Sequence, residues 1–200
     1  MASDKNTAAA AKNPLLSVVL GAKNISIDFD GTLISTSRRF YWLFASSNSL
    51  LPQTPFFIWA EKLFTSLTSG YSKKPLDCSL ETLKMLKDRG ASLKLLTSRR
   101  THLEELTKSW LSRYGFIQLF DEFLFNKKSL HPFDHKISTL KENPSIQVHV
   151  DDSKKAVLAL SSKLPDRTFV WICKAYPEKE RGLNLPNVIE IDSWAMLISV

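Results

Sequence analysis

The sequence predicts an α/β fold in which a parallel sheet is covered by helices on both faces. Short runs of apolar and β-branched residues alternate along the chain with longer segments whose apolar residues recur at helical spacing. The run over residues 24–29 (NISIDF) is typical of a buried strand, and the turn signal DGT at Gly31 ends it. Strands that alternate with helices favour a parallel sheet with helices packed on its two faces.

The other elements are predicted in order along the chain. A helix over residues 79–89 has Gly90 just past its end, and residues 92–97 (SLKLLT) form the next strand. The following helix starts near Thr101 and stops at Gly115. The remaining strands are residues 122–126, 145–150, 167–173 and 188–191, and the remaining helices are residues 136–142, residues 153–164 and a terminal helix.

An aromatic segment interrupts this pattern. Residues 37–48 and 55–69 have the character of two helices joined by a Pro-containing loop, so they predict a helical hairpin. We therefore expect three parts in the chain: a flexible N-terminal segment, an α/β core and a small helical insertion in the core. Their expected bounds are 1–22 for the flexible segment, 23–36 and 76–200 for the core, and 37–75 for the insertion.

Composition limits what the chain binds and where it works. The formal net charge of +7 and the pI of about 9.4 favour anionic partners such as phosphate esters, nucleic acid or anionic lipid. Cys78 and Cys173 match neither zinc-ligand spacing nor a disulfide framework, as expected in a reducing intracellular compartment. The apolar run over residues 14–22 is short and Asp4 precedes it, so we expect no cleaved signal peptide. No run reaches the roughly 18 apolar residues of a membrane-spanning helix.

Two carboxylates lie at the end of the first predicted strand. Asp28 and Asp30 are two residues apart, so in an extended segment both side chains can point into one cleft. In a parallel sheet, ligands bind outside the carboxyl ends of the strands. Mg²⁺ relieves the repulsion between such acids, and it suits one or two carboxylates plus a substrate phosphate. One carboxylate can then attack phosphorus while the other transfers a proton.

Further polar side chains follow the later strands. Thr97 is placed to offer a hydroxyl and a backbone N–H to a phosphate oxygen, and Lys136 is suited to neutralise charge on the nucleophile and the phosphate. Asp151 and Asp152 follow the strand over residues 145–150 and offer more oxygens to the metal.

Neighbouring residues extend or compete with these assignments. Ser98 and Arg99 are assigned to substrate binding together with Thr97, although Arg99 and Arg100 are equally suited to flanking a helix start. Lys127 and Lys128 are the alternatives to Lys136.

The four sites, taken in this order, resemble the four motifs of the haloacid dehalogenase superfamily, and DFDGTL matches the first motif closely. The resemblance implies a Rossmann-like core and an aspartyl-phosphate formed on Asp28. It implies acid/base catalysis by Asp30, whose backbone carbonyl also binds magnesium, with Thr97 as the phosphate binder and Lys136 as the orienting lysine. Asp152 matches the usual metal ligand.

The same resemblance leaves one ligand and the cap open. Asp151 stands where many relatives have glycine, and it binds the metal directly or through water. The aromatic segment lies where the family inserts a cap, and such caps cover the cleft and select substrates.

These observations predict a Mg²⁺-dependent phosphatase acting on phosphomonoesters. A small cap leaves the cleft open in relatives, which favours a phosphoprotein, such as one carrying phosphotyrosine; a nucleotide or small-metabolite phosphatase is the alternative. The aromatic cap also suits contact with a membrane surface or nucleic acid. An inactive binding module that works through the cap is the alternative of another class, and the intact Asp28, Asp30 and Asp152 argue against it. Transfer to an acceptor other than water needs the same residues and stays open.

Overall fold

The computed structural model describes residues 14–35, 54–66, 73–174 and 176–198. These residues form six strands: β1 (Asn24–Ile27), β2 (Ser92–Arg100), β3 (Phe120–Asn126), β4 (Val148–Asp151), β5 (Thr168–Ile172) and β6 (Val188–Ile191). The helices are α1 (Pro14–Gly21), α2 (Pro55–Thr65), α3 (Ser79–Asp88), α4 (Glu104–Arg113), α5 (Pro132–Glu142), α6 (Lys154–Lys163) and α7 (Ala195–Ile198). The pairings between the six strands are all parallel, which confirms the predicted α/β class and its parallel sheet.

The sheet order is β3-β2-β1-β4-β5-β6. The chain therefore runs outward from β1 through β2 to β3, and then returns to the other edge of β1 to start β4. Ile27 pairs with Leu95 of β2 on one side and with Val150 of β4 on the other. Because ligands bind where the strand order reverses, the cleft between the carboxyl ends of β1 and β4 is the expected binding site.

Helices cover both faces of the sheet. On one face, Trp110 of α4 packs edge-on against Phe29 at a centroid distance of 5.2 Å, within a core that also contains residues of α1, α3 and α7. On the other face, Leu140 of α5 and Leu160 of α6 are fully buried with residues of β5. Burial on both faces explains why the strands carry so few exposed side chains.

The N-terminal segment differs from expectation. A flexible segment was expected over residues 1–22, but residues 14–21 form α1, and Val19 and Ala22 are buried in the core. The burial of these apolar side chains against the sheet holds the helix in place.

The segment expected to form the cap is described in part. The first expected cap helix, over residues 37–48, lies outside the described residues. The second begins at Thr54, whose hydroxyl accepts a hydrogen bond from the backbone N–H of Phe57 at 3.4 Å, and continues as α2. Glu61 of α2 joins it to the core by accepting a hydrogen bond from His102 at 2.9 Å and lying 3.6 Å from Arg100. Among the described helices, none is both long and apolar enough to cross a membrane.

Candidate active site

The candidate site lies at the carboxyl ends of β1, β2 and β4. The backbone N–H of Asp28 donates to the carbonyl of Val150 at 2.9 Å, so the pairing of β1 with β4 continues up to the site. Asp28 is thereby held beside Asp151, the last residue of β4.

Asp28 is buried and paired with Lys136. Its carboxylate lies 3.0 Å from the Lys136 ammonium, and Lys136 also donates to Asp151 at 2.7 Å. Burial raises the pKa of Asp28 to about 7, against the lowering effect of Lys136, and the nearby charges of Asp151 and Asp30 raise it further. Lys128 instead lies on the surface beside Glu142, so of these two predicted candidates only Lys136 reaches the acids.

The helix that carries Lys136 begins earlier than predicted. The sequence predicted a helix around residues 136–142, but Pro132 occupies the first helical position and the helix runs from there. Lys136 consequently sits in the second turn, with its side chain buried between Asp28 and Asp151.

Asp151 is fully buried, and both of its oxygens are occupied. One accepts from the backbone N–H of Ser153 at 2.8 Å; the other lies against Lys136 and 3.3 Å from His149. The positive charge of Lys136 and the hydrogen bond from His149 hold the pKa of Asp151 well below its usual range, despite burial. We infer that Asp151 mainly orients Lys136.

His149 is a site residue that the sequence analysis missed. Its Nδ1 lies 2.9 Å from the Ser26 hydroxyl, and burial lowers its pKa. A neutral ring can donate from Nε2 to Asp151 and accept from Ser26. The signal was available, because residues two apart in a strand share a face and His149 precedes Asp151 by two.

Asp152 packs tightly against Gly31. A Cβ atom placed on Gly31 would lie 2.1 Å from an Asp152 carboxylate oxygen, and Gly31 has a φ of +84°. Burial, with the nearby charges of Asp151 and Asp28, raises the pKa of Asp152 well above its usual value. Among the described residues, no cationic side chain forms an ion pair with Asp152.

The acids fit a divalent cation. One oxygen each from Asp28, Asp151 and Asp152 lies within 4.8 Å of the others. All are hard oxygen donors of the kind Mg²⁺ prefers, and a bound cation would favour the charged forms of Asp28 and Asp152 that burial disfavours. The donor set therefore suits the predicted magnesium, with Asp28 and Asp152 as the ligands least engaged by protein donors.

Gly31→Ala is expected to damage both the fold and the metal site. The added methyl would displace the Asp152 carboxylate, so Mg²⁺ affinity should fall at least about tenfold, as for other changes that misplace metal ligands. Gly90→Ala is the matched control, because Gly90 has the same φ of +84° but nothing within 4 Å of its Cβ position. Both variants carry the left-handed backbone cost of about 1–2 kcal/mol. Urea unfolding and calorimetric Mg²⁺ titration separate the two effects, and equal Mg²⁺ affinities in both variants would contradict the assigned contact.

Asp30 is held by Arg99. The Arg99 Nε and Nη2 atoms donate to the two Asp30 oxygens at 2.7 and 2.8 Å, and both side chains are almost completely buried. Arg99 was predicted to bind substrate, but here its guanidinium is engaged within the protein.

Thr97 and Ser98 lie at the same end of β2, which runs three residues beyond the predicted strand. The register with β3 shifts between Leu96 and Arg100, so the intervening residues form an irregular segment beside the site. The Thr97 hydroxyl accepts from the Arg99 backbone N–H at 3.2 Å, and the Ser98 hydroxyl donates to the Pro132 carbonyl at 3.5 Å. Substrate binding by both residues stays a prediction.

A cavity of about 370 Å³ adjoins Asp152. Its walls combine apolar and charged side chains: Leu76, Ile172, Trp194, Asp77, Lys174 and Asp192. The Trp194 ring nitrogen donates to the Thr32 carbonyl at 2.7 Å, which fixes one wall of the cavity to the DGT turn.

Comparison with known proteins identifies the fold. No protein-family model matches the sequence, and no curated protein matches it significantly. Among solved structures, a haloacid dehalogenase-like family hydrolase from Streptococcus pneumoniae is similar, with 15% identity, a TM-score of 0.59 and coverage of 85% of this chain and 94% of that one. A predicted phosphoglycolate phosphatase from Haemophilus somnus is 18% identical, with a TM-score of 0.54 over 89% of this chain and 97% of that one. YfnB from Bacillus subtilis, described as bound to magnesium, is 12% identical, with a TM-score of 0.51 over 88% of this chain and 96% of that one.

Proposed function

We propose that this chain, which has the fold of the haloacid dehalogenase-like hydrolases, is a magnesium-dependent phosphatase that hydrolyses phosphomonoesters. The observation that carries the proposal is the arrangement of Asp28, Lys136, Asp151 and Asp152 at the reversal point of the sheet. This arrangement places one buried carboxylate between a cation and a candidate metal site, as expected for a nucleophile that attacks a phosphoryl group.

The chain's own residues supply the steps. An oxygen of Asp28 attacks phosphorus, the bond from phosphorus to the ester oxygen breaks, and Asp30 donates a proton to the departing alcohol. Water then attacks the phosphorus of the aspartyl-phosphate, Asp30 takes a proton from that water, and the bond between Asp28 and phosphorus breaks. Lys136 steadies the Asp28 carboxylate throughout, and the hydroxyl of Thr97 binds a phosphate oxygen. Bound Mg²⁺ would supply positive charge to the phosphoryl oxygens.

A simple assay tests the chemistry. Purified protein is incubated with p-nitrophenyl phosphate and Mg²⁺, with EDTA and then Ca²⁺ replacing Mg²⁺ in parallel. We expect turnover with Mg²⁺ and loss of turnover in EDTA. Absence of hydrolysis with every divalent ion, for aryl and alkyl phosphates alike, would reject the proposal and favour a binding module.

Magnesium binding is expected to release protons. Because burial raises the pKa of Asp28 to about 7 and that of Asp152 well above its usual value, these acids hold protons that a metal must displace. Affinity should therefore strengthen as pH rises from 6 towards 7, by up to about tenfold per pH unit for each proton displaced, and the part due to Asp28 should level off above its pKa of about 7. Calorimetry in two buffers of different ionisation enthalpy counts the protons, and an affinity that does not change with pH would contradict the prediction.

For the substrate we propose a phosphoprotein. The support is α2, in which no described residue is buried and Phe56 and Trp59 are 68% and 59% exposed. Exposed rings beside a cleft suit contact with a polypeptide.

The second candidate is a small metabolite or nucleotide phosphate. It is favoured by the cavity of about 370 Å³ beside Asp152, because such volumes are typical of small-molecule sites. Initial rates on phosphotyrosyl and phosphoseryl peptides, nucleotides and sugar phosphates separate the candidates. A kcat/KM higher for small metabolites than for peptides would overturn the preference for a phosphoprotein.

A further inference from the structure

The Arg99 side chain is fixed from three directions. Its Nε and Nη2 atoms hold Asp30, its Nη1 donates to the Thr107 hydroxyl at 3.1 Å, and its guanidinium carbon lies 4.4 Å above the centre of the Phe29 ring. The Thr107 hydroxyl in turn donates to the Leu103 carbonyl at 2.8 Å, which orients it as an acceptor for Arg99. Such a side chain is preorganised, and a bidentate pair fixes the plane of the carboxylate as well as its distance.

The pair sets where Asp30 lies. Asp28 is drawn towards Lys136 and β4, whereas Asp30 is drawn towards Arg99 and α4, on the β2 side. Each Asp30 oxygen accepts one hydrogen bond from Arg99 and keeps a second lone pair that can hold a proton, so the plane fixed by Arg99 sets the direction in which that proton faces. Arg99 therefore controls the position of Asp30, which donates the proton to the departing alcohol. The nucleophile Asp28 is held by Lys136 instead.

We propose that Arg99 is a positioning residue for Asp30, and that its side chain acts on departure of the leaving group and not on binding of the substrate phosphate. The inference rests on the proposed phosphatase function and differs from the role expected from the sequence, in which Arg99 binds substrate. The backbone N–H of Arg99 bonds to Thr97, and this contact survives side-chain substitution, so the phosphate-binding hydroxyl is unaffected.

The test compares ester bonds that differ in their need for a proton. A nitrophenolate leaves readily without one, whereas a simple alcohol needs an acid, and general acid catalysis contributes about 10²–10⁴-fold. The quantity to measure is kcat/KM, which reports the steps up to departure of the alcohol. In Arg99→Lys, which keeps the charge but loses the bidentate grip, kcat/KM should fall about 100-fold for an alkyl phosphate. For p-nitrophenyl phosphate it should fall only a few-fold, and inhibition by inorganic phosphate should be unchanged.

Two further variants complete the design. Thr107→Val removes the hydroxyl that holds Nη1 of Arg99 while preserving side-chain shape. It should show the same selective loss of kcat/KM for the alkyl phosphate, but a smaller one. This variant tests the inference if Arg99→Lys does not fold. Arg167→Lys is the control, because Arg167 is also 8% exposed but belongs to the other end of the sheet, where it donates to the Asn143 carbonyl. It should leave the ratio of the two kcat/KM values unchanged.

Each other outcome overturns the inference. Equal losses on both esters with unchanged phosphate inhibition would show a merely structural role, and weaker inhibition by phosphate would show that Arg99 binds the phosphoryl group. If the wild-type protein hydrolyses neither ester, the phosphatase proposal fails and the role of Arg99 fails with it. If the wild type is active and Arg99→Lys and Thr107→Val keep the same ratio of kcat/KM values as Arg167→Lys, only the role of Arg99 fails.

Discussion

Replacing Asp28 with Asn is expected to reduce phosphate ester hydrolysis by about 10⁴-fold or more, the size of loss seen when an enzyme loses its nucleophile. The amide has nearly the same shape as the carboxylate but cannot attack phosphorus. Steady-state rates on p-nitrophenyl phosphate with saturating Mg²⁺ measure the effect, and a variant that keeps a tenth of the wild-type rate would refute Asp28 as the nucleophile.

Stability provides an independent control for this variant. The pKa of Asp28 is raised to about 7 in the folded protein, so the native state holds a proton that the unfolded state has lost, and stability is lost as pH rises through that value. Removing the ionisable group removes this cost. The metal-free Asn variant should therefore unfold at the same or a higher temperature than wild type at pH 8. Asp121→Asn, at the half-exposed pair of Asp121 with Lys87, should change neither activity nor this pH dependence.

Lys136→Met is expected to lower both activity and stability. The substitution leaves Asp28 and Asp151 facing each other without their shared cation, and breaking a buried pair in this way typically costs about 3–5 kcal/mol. Activity should fall about 10³-fold, the range seen when a key charge-stabilising group is lost. Urea unfolding in EDTA measures the stability loss.

The pH dependence identifies the cause of that loss. Without Lys136 the folded-state pKa of Asp28 should rise further, so protonation below pH 6 should relieve part of the destabilisation and the deficit should be larger at pH 8. Mg²⁺ should also recover part of it. Lys87→Met removes a surface pair and should cost less than about 1 kcal/mol at either pH. Equal losses in the two variants would show that Lys136 does not balance buried charge.

The fold class and the positions of the candidate site acids could be predicted from the sequence because those features follow local rules. The strand before Asp28 has buried, apolar character, and the DGT turn marks its end, so the position of the acids follows from periodicity and turn chemistry. The same reasoning placed Asp151 and Asp152 after β4. Asp28, Asp30, Asp151 and Asp152 lie together because the carboxyl ends of parallel strands meet at one edge of the sheet.

Side-chain partners were less predictable because they depend on packing between distant segments. The pairing of Arg99 with Asp30 joins residues 69 positions apart, and it depends on where α4 places Thr107. No spacing rule connects these positions. The charge of Arg99 favoured a substrate phosphate as its predicted partner. In the structure Arg99 is buried beside Asp30, and its partner is this carboxylate.

The cap shows the same limit at a larger scale. An aromatic helix after the first acids could be predicted from Pro55 and the helical spacing of its apolar residues. Its attachment through Glu61 to Arg100 and His102 could not, because these partners lie about 40 residues away in the sequence, outside the helix.

The order of the strands has a consequence for how the molecule is made. Strands β1, β2 and β3 can pair in the order of synthesis, but the other edge of β1 stays open until residues 148–151 are available. Lys136, Asp151 and Asp152 also come late in the chain, so Asp28 lacks its cation and its fellow ligands until then. The site is consequently built from contacts of long sequence separation, which form slowly during folding. A metal ion bound at this point would join the first-made strand to one made more than 120 residues later, so magnesium binding should report the pairing of β1 with β4.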